Sequence, residues 1–298
     1  MMTAGPTTAD RSIDGVLPVD KPTGPTSHDV VARVRRALGI RRIGHTGTLD
    51  PFASGLLLLC IGRATRIAEY LIGMDKRYTA IVRLGIVTDT DDVTGSVIGG
   101  ADPAGITCDA VERALGGLRG DIEQLPPLYS AKKVGGARAY AQAREGRALA
   151  LEPVRVHIAG LTLTRCEPPE LAVDVQCSSG TYVRAIARDL GAALGVGAHL
   201  TALRRTAIGP HRIERAVGLT VIEADPAAAR AAVISMPDAL PAMPRVLLSD
   251  EELARVTHGR TIPNAGALSG TVALVAGGDL VAIGDADAER VRPRKVFL

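Results

Sequence analysis

Aromatic side chains make up 2% of this 298-residue chain, with no Trp, five Tyr and two Phe. A core must therefore be built from Ala, Val, Leu and Ile, and each tyrosine becomes a candidate for work other than packing. The four cysteines, Cys60, Cys108, Cys166 and Cys177, form no C-x-x-C pair, so the usual zinc and dithiol signatures are missing. Cys60 lies in an apolar run, as a buried reduced thiol does, and no structural disulfide is expected. The longest uninterrupted apolar run, Leu56 to Ile61, is far too short to span a bilayer. No basic-then-apolar leader opens the chain. A soluble, cytoplasmic protein is the expectation. Neither G-x-G-x-x-G, G-x-x-x-x-G-K-[ST] nor the G-x-S-x-G elbow is found, which removes the common nucleotide and hydrolase motifs. The acidic stretch Thr88–Gly95 lacks the D-x-[DN]-x-[DN]-G order and closing Glu of a calcium loop, and reads as a surface turn.

Net charge is only +3, yet the basic residues cluster. Arg33, Arg35, Arg36, Arg41 and Arg42 form one group. Lys132, Lys133, Arg138, Arg144 and Arg147 form a second, and Arg204, Arg205, Arg212 and Arg215 a third. Any one cluster alone reads as a solvated helix face, but a near-neutral chain with such groups can still present a surface for phosphates. The stretch Gly44-His45-Thr46-Gly47-Thr48-Leu49-Asp50-Pro51 follows the first group. Its glycines permit tight turns and close backbone approach, and Pro51 pushes Asp50 towards an extended backbone. A carboxylate held there could serve as base or nucleophile; from these residues alone, a plain turn is the commoner outcome.

The pattern predicts a tail over residues 1–12, a strand at Gly15–Pro22 and a helix capped by Ser27 and stopped at Gly39. A buried strand is expected at Leu56–Ile61, a helix at Ala64–Ile72 and a strand at Tyr78–Leu84. Residues 109–118 and Ala137–Glu145 read as helices. Val154–Leu163 and Leu171–Val175 read as paired strands, and Ser178–Arg184 as a turn into a helix ending near Leu194. The Pro-rich run Asp238–Pro244 suggests a boundary. Beyond it come a helix at Glu251–Thr257, strands at Thr271–Val275 and Leu280–Ile283, and the basic run Arg290, Arg292, Arg294, Lys295. Strands and helices alternate without a regular βαβ period, which favours an α+β fold with a mixed, largely antiparallel sheet.

Five motifs in order carry a resemblance: Gly15–Pro22, Gly44–Pro51, Asp75–Tyr78, Ser179–Arg184 and Ala202–Arg205. Over residues 14–215 the chain resembles the bacterial tRNA pseudouridine-55 synthases of the TruB family. Its C-terminal piece is similar, more weakly, to their small PUA-like RNA-binding β domain. The resemblance implies a catalytic domain over residues 13–242 and a PUA-like domain over 243–298. It implies isomerisation of uridine in the tRNA T-loop, with the T-stem and T-loop as partner. No cofactor, metal, membrane or obligatory protein partner follows from it, and a monomer is expected.

By the same resemblance Asp50 is the essential carboxylate, attacking C1′ or removing the 2′ proton. Arg184 pairs with it, and Tyr78 stacks on the target base and handles the C5 proton. Tyr182 and Leu203 line the uracil pocket. His45 helps fill the space vacated by the flipped base, and Lys21 supports the loop. Two other readings stay open at this point: a guide-RNA-directed synthase, and a tRNA-folding chaperone that acts without catalysis.

Overall fold

The computed structural model of the chain describes residues 13–129, 133–134, 137–138 and 151–297. The expected tail, the expected helix beyond residue 138 and the side chains of the second basic group lie outside those residues. Strands are β1 Gly15–Lys21, β2 Ile43–His45, β3 Ser54–Ile61, β4 Lys76–Leu84, β5 Val87–Thr88, β6 Val97–Gly99, β7 Gly120–Gln124, β8 Lys133–Val134, β9 Ala137–Arg138, β10 Val154–Glu167, β11 Glu170–Cys177, β12 Ala198–Ile208, β13 His211–Arg212 and β14 Val217–Gly218. Helices used below are α1 Ser27–Leu38, α2 Ala68–Ile72, α3 Cys108–Gly116 and α4 Val183–Ala193.

One mixed sheet runs β14-β1-β3-β12-β4-β11-β10-β7, with β2 on β3 and β13 on β12. Its β1–β14 and β3–β12 pairs are parallel and the rest antiparallel. The α+β class with a largely antiparallel mixed sheet is therefore what the chain adopts.

The apolar run of β3 is continuous because both faces of that strand are covered. Leu57, Leu59 and Ile61 pack with α1 residues Val30, Val31, Val34 and Leu38. Leu56, Leu58 and Cys60 face the other way, with Ile67 and Leu71. A third cluster covers the far half of the sheet with α3 and α4, through Val111, Leu115, Ile186 and Leu190. Gly55 stands where β3 meets β12: its φ is +106°, and a Cβ would lie 2.3 Å from the Arg205 carbonyl oxygen. Only glycine fits that approach.

Several expectations shift. The cap of α1 is Thr26, not Ser27: Thr26 Oγ1 accepts the Asp29 N–H at 3.1 Å and the Asp29 carboxylate accepts the Thr26 N–H at 2.8 Å, a capping box. Ser27 Oγ is turned inwards, accepting the Leu49 N–H at 2.9 Å. Residues 62–67 form a 3-10 helix ahead of the short α2. Ala137 and Arg138, expected to open a helix, pair with β8 as a strand. Cys108 and Cys166 form a disulfide between α3 and the end of β10, against the expectation of none; a separation of 58 residues leaves no local spacing signal.

The C-terminal β domain is a five-stranded sheet: β15 Arg245–Leu247, β16 Ile262–Pro263, β17 Gly270–Ala276, β18 Asp279–Ala286 and β19 Arg290–Val296, with a helix at Asp250–Thr257. Its basic run forms the strand β19. Arg294 pairs with Asp285 at 2.6 Å and Lys295 with Glu69. This sheet shares a core with the first: Ala273, Val275, Leu280, Ile283 and Phe297 join Val16, Leu56, Leu58, Met236 and Leu240. Phe297 is 2% exposed, and the Arg66 guanidinium lies 4.9 Å from its ring centre. Phe297→Ala should therefore cost about 3–5 kcal/mol of stability. Denaturant unfolding of the whole chain measures this, and a loss below about 1 kcal/mol would contradict a shared core.

Candidate active site

Asp50 lies in the loop between β2 and β3, and three anchors fix that loop. Ser27 holds the backbone of Leu49 at both N–H and carbonyl. Lys21, fully buried, donates from Nζ to the Ala53 carbonyl at 2.7 Å and to that of Pro22 at 2.9 Å. Arg205, 2% exposed, donates to the carbonyls of Gly47, Thr48 and Leu56. Burial pulls the Lys21 ammonium down to about 8, with Asp50 working against that fall and Arg205 adding to it.

Arg184, in the first turn of α4, is 5% exposed. Its Nε stands 3.0 Å from Asp50 Oδ2, and a terminal nitrogen 3.4 Å from Asp92 Oδ2. The same guanidinium donates to the carbonyls of Thr90 at 2.8 Å and Tyr129 at 2.9 Å. Asp50 keeps 34% of its side-chain surface exposed, but its surroundings are dense. Burial pushes its pKa above the usual carboxylate range; Arg184 and Lys21 pull it down, and Asp92 pushes it up. Arg184 therefore limits a rise that burial causes.

A cavity of about 130 Å³ opens above this pair, lined by Thr48, Leu49, Asp50, Tyr78, Thr181, Tyr182, Val183, Arg184 and Leu203. An apolar cavity of about 150 Å³ is known to accept a benzene ring, so a single pyrimidine is the right scale of guest. Tyr78 comes from β4, opposite Arg205 of β12 in register. Burial raises its phenol above its ordinary pKa, while Arg205 pulls the other way. A wider cleft of about 490 Å³ continues past Asp50 along Phe52, Asp89, Thr94 and Tyr129.

Of the residues singled out in the sequence, Asp50, Tyr78, Arg184, Tyr182 and Leu203 meet at one cavity. Lys21 and His45 line neither space. Lys21 sits beneath the loop. His45 Nδ1 accepts the Gly47 N–H at 3.3 Å, and its ring meets His28 edge to face at 5.1 Å.

The stretch Thr88–Gly95 is not a surface turn. Thr88, Asp91 and Asp92 are buried, and Asp92 is held by Thr90 and Thr94 hydroxyls and by the Thr94 N–H. The signal in the sequence is Arg184 and Arg188, four apart on one helix: Arg188 takes Asp91 at 3.3 Å as Arg184 takes Asp92. Buried carboxylates need such partners. Ser27, Arg205 and Gln124 hold the backbone around the site, roles that the sequence does not mark.

Solved structures share the fold. A Cbf5-Nop10-Gar1 complex matches with a TM-score of 0.73 and 29% identity, covering 95% of this chain and 85% of that one. An H/ACA RNP bound to a substrate RNA containing 2′-deoxyuridine matches with a TM-score of 0.72 and 27% identity, with the same coverage. The family model for the TruB pseudouridylate synthase N-terminal domain matches residues 35–183, and that for the tRNA pseudouridylate synthase B C-terminal domain matches residues 184–247. The tRNA pseudouridine synthase B of Thiobacillus denitrificans is 45% identical over 291 residues, 97% of each chain. That of Mycobacterium avium is 54% identical over 209 residues, 69% of this chain and 68% of the relative. These matches and the cavity define a pseudouridine-synthase fold. The chain belongs to the TruB family of pseudouridylate synthases.

Arg184→Met should raise the Asp50 pKa further, because the largest opposing charge is gone, whereas Asp92→Asn should lower it. Carbon-detected NMR titration of the Asp50 carboxyl reads both. An unchanged or lower value in Arg184→Met would sink the pairing. The Arg184 variant should also lose up to about 3–5 kcal/mol of stability, since Asp92 is left buried without its counter-charge.

Proposed function

We propose that this chain isomerises uridine to pseudouridine at position 55, in the T-loop of tRNA. The observation that carries the reading is the Asp50–Arg184 pair, 3.0 Å apart, at the floor of a pyrimidine-sized cavity walled by Tyr78, Tyr182 and Leu203. The target uridine leaves its stack, at a cost of about a few kcal/mol, and enters that cavity. Ionised Asp50 attacks C1′ or removes the 2′ proton, and the N1–C1′ bond breaks. The uracil turns over and C5 bonds to C1′, displacing the Asp50 carboxylate from C1′ or, in the other route, with the proton returned to C2′; the C5 proton is lost while N1 gains one. Nothing is oxidised or hydrolysed.

Arg184 favours the ionised form of Asp50 against the burial that favours its acid form. Tyr78 stacks on the flipped base, worth about 1–3 kcal/mol. Burial opposes a free tyrosinate, so proton transfer through Tyr78 draws on the Arg205 charge beside it. Tyr182 and Leu203 hold the ring, His45 takes the space vacated in the RNA, and Lys21 sets the loop from below. Exposed arginines such as Arg36, Arg41 and Arg292 contact the RNA backbone, which is read mainly by shape and phosphates. The C-terminal sheet acts as the PUA-like RNA-binding domain from about residue 243 onward. The protein works in the cytoplasm as a monomer, with no obligatory protein partner. A guide-directed mode draws only on the ribonucleoprotein neighbours; the relatives of higher identity are named for tRNA.

Asp50→Asn should abolish pseudouridine formation while tRNA affinity stays nearly unchanged, since the swap keeps shape and removes both nucleophile and base. Retained turnover would remove Asp50 from the mechanism. Full activity lost together with binding would point to a binding role instead.

Tyr78→Phe keeps the stacking face and deletes the hydroxyl. Release of tritium from C5-labelled uridine should slow in single turnover, while base rearrangement, assayed separately, continues. Release at the wild-type rate would leave Tyr78 as a stacking platform only.

A further inference from the structure

Gln124 ends β7, the edge strand of the large sheet, and is fully buried. Its side-chain amide closes on a single residue. Oε1 accepts the backbone N–H of Tyr182 at 2.8 Å, and Nε2 donates to the Tyr182 carbonyl at 3.1 Å. Tyr182 is the residue before α4, extended (φ −102°, ψ 107°) and without a side-chain cap of its own. Its carbonyl is also the first acceptor of the helix, taking the N–H groups of Ala185 and Ile186. One amide thus fixes the orientation of the backbone from which Tyr182 projects and from which, two residues on, Arg184 projects.

The chain that follows Gln124 reinforces the same helix. The Leu125 carbonyl accepts from Arg188 at 2.9 Å and the Tyr129 carbonyl from Arg184 at 2.9 Å. Pro126 and Pro127 stiffen the backbone between those two acceptors. Gln124 itself lines neither cavity and has no part in the chemistry above.

We infer that Gln124 is a positioning residue for the isomerisation, clamping the Tyr182 backbone so that Arg184 meets Asp50 and Tyr182 closes the base pocket. The inference rests on the function proposed above. The requirement for an amide is chemical: one residue's N–H and carbonyl need an acceptor and a donor side by side. Leucine fills a similar volume but supplies neither, and leaves the Tyr182 N–H without its partner. Glutamate keeps an acceptor for that N–H in either protonation state.

The test compares wild-type protein, Gln124→Leu and Gln124→Glu on an unmodified tRNA transcript. Single-turnover pseudouridine formation is followed with saturating enzyme across a pH series, and tRNA affinity is measured separately. Gln124→Leu should bind tRNA as the wild type does and form product about 10–100-fold more slowly, the scale of loss that a displacement of about 1 Å in a site produces. Its acidic limb should move to higher pH, because Arg184 no longer holds Asp50. Gln124→Glu should recover part of the rate. Wild-type rate and an unmoved limb in Gln124→Leu would overturn the inference. So would a rate loss matched by lost tRNA affinity with the limb unmoved, the mark of a generally loosened fold. If Gln124→Leu fails to fold, Gln124→Glu decides the matter: a slower rate with a displaced limb supports the clamp, and wild-type behaviour overturns it. Absence of product with the wild-type protein would instead overturn the functional reading itself.

Discussion

A guanidinium taken out of water has to be met by acceptors around its whole edge, and Arg184 is met by four groups. Asp50 comes from the β2–β3 loop, Asp92 and the Thr90 carbonyl from the acidic loop, and the Tyr129 carbonyl from the chain after β7. Without that cation, Asp50 would face Asp92 across a poorly solvated space, and its pKa would rise further. With it, the two loops close over the first turn of α4 and leave a cavity between them. The same contact that organises the fold here also lowers the pKa of Asp50 against its burial. Loop packing and the protonation of Asp50 are coupled at one side chain, and loss of Arg184 acts on both.

The rest of the architecture keeps this contact in place. Parallel pairing of β3 with β12 brings the Asp50 loop beside Arg205, whose buried charge is spread over three backbone carbonyls. The C-terminal β domain is fastened from behind, through Phe297, Leu280 and Ile283 against Leu56 and Leu58 of β3. One strand therefore carries the Asp50 loop at one end and the joint between the two sheets along one face. The candidate site and the C-terminal sheet are thus joined through one rigid element.

Local periodicity is enough to read much of this. Helical spacing in Val30, Val31, Val34 and Leu38, with Gly39 after it, places α1, and the apolar run at Leu56–Ile61 places β3 as a buried strand. The pairing of β10 with β11 follows from alternation. β12 escapes, although it is central, because Thr201, Arg204, Arg205 and Thr206 interrupt the pattern and two register shifts break its period. The Cys108–Cys166 bond escapes because nothing local joins residues so far apart. At the site, Asp50, Tyr78, Tyr182, Arg184 and Leu203 are legible as members of ordered motifs. Asp92 is marked only indirectly, by Arg184 and Arg188 four apart on one helix, and Gln124 not at all, since their partners lie far along the chain: a carboxylate in a polar loop and an amide at a strand end look exposed until an arginine and a backbone peptide arrive to meet them. Lys21 stands out in its motif, but only the fold shows that its ammonium is spent on the Ala53 and Pro22 carbonyls beneath the loop.

The most direct measurement is a nucleotide-resolution map of pseudouridine in unmodified tRNA after incubation with the protein alone, without cofactor, guide RNA or partner. The account predicts one new pseudouridine, at the T-loop uridine of position 55, and no other change in the RNA. No modification, or modification only when a guide RNA or partner protein is added, would contradict it.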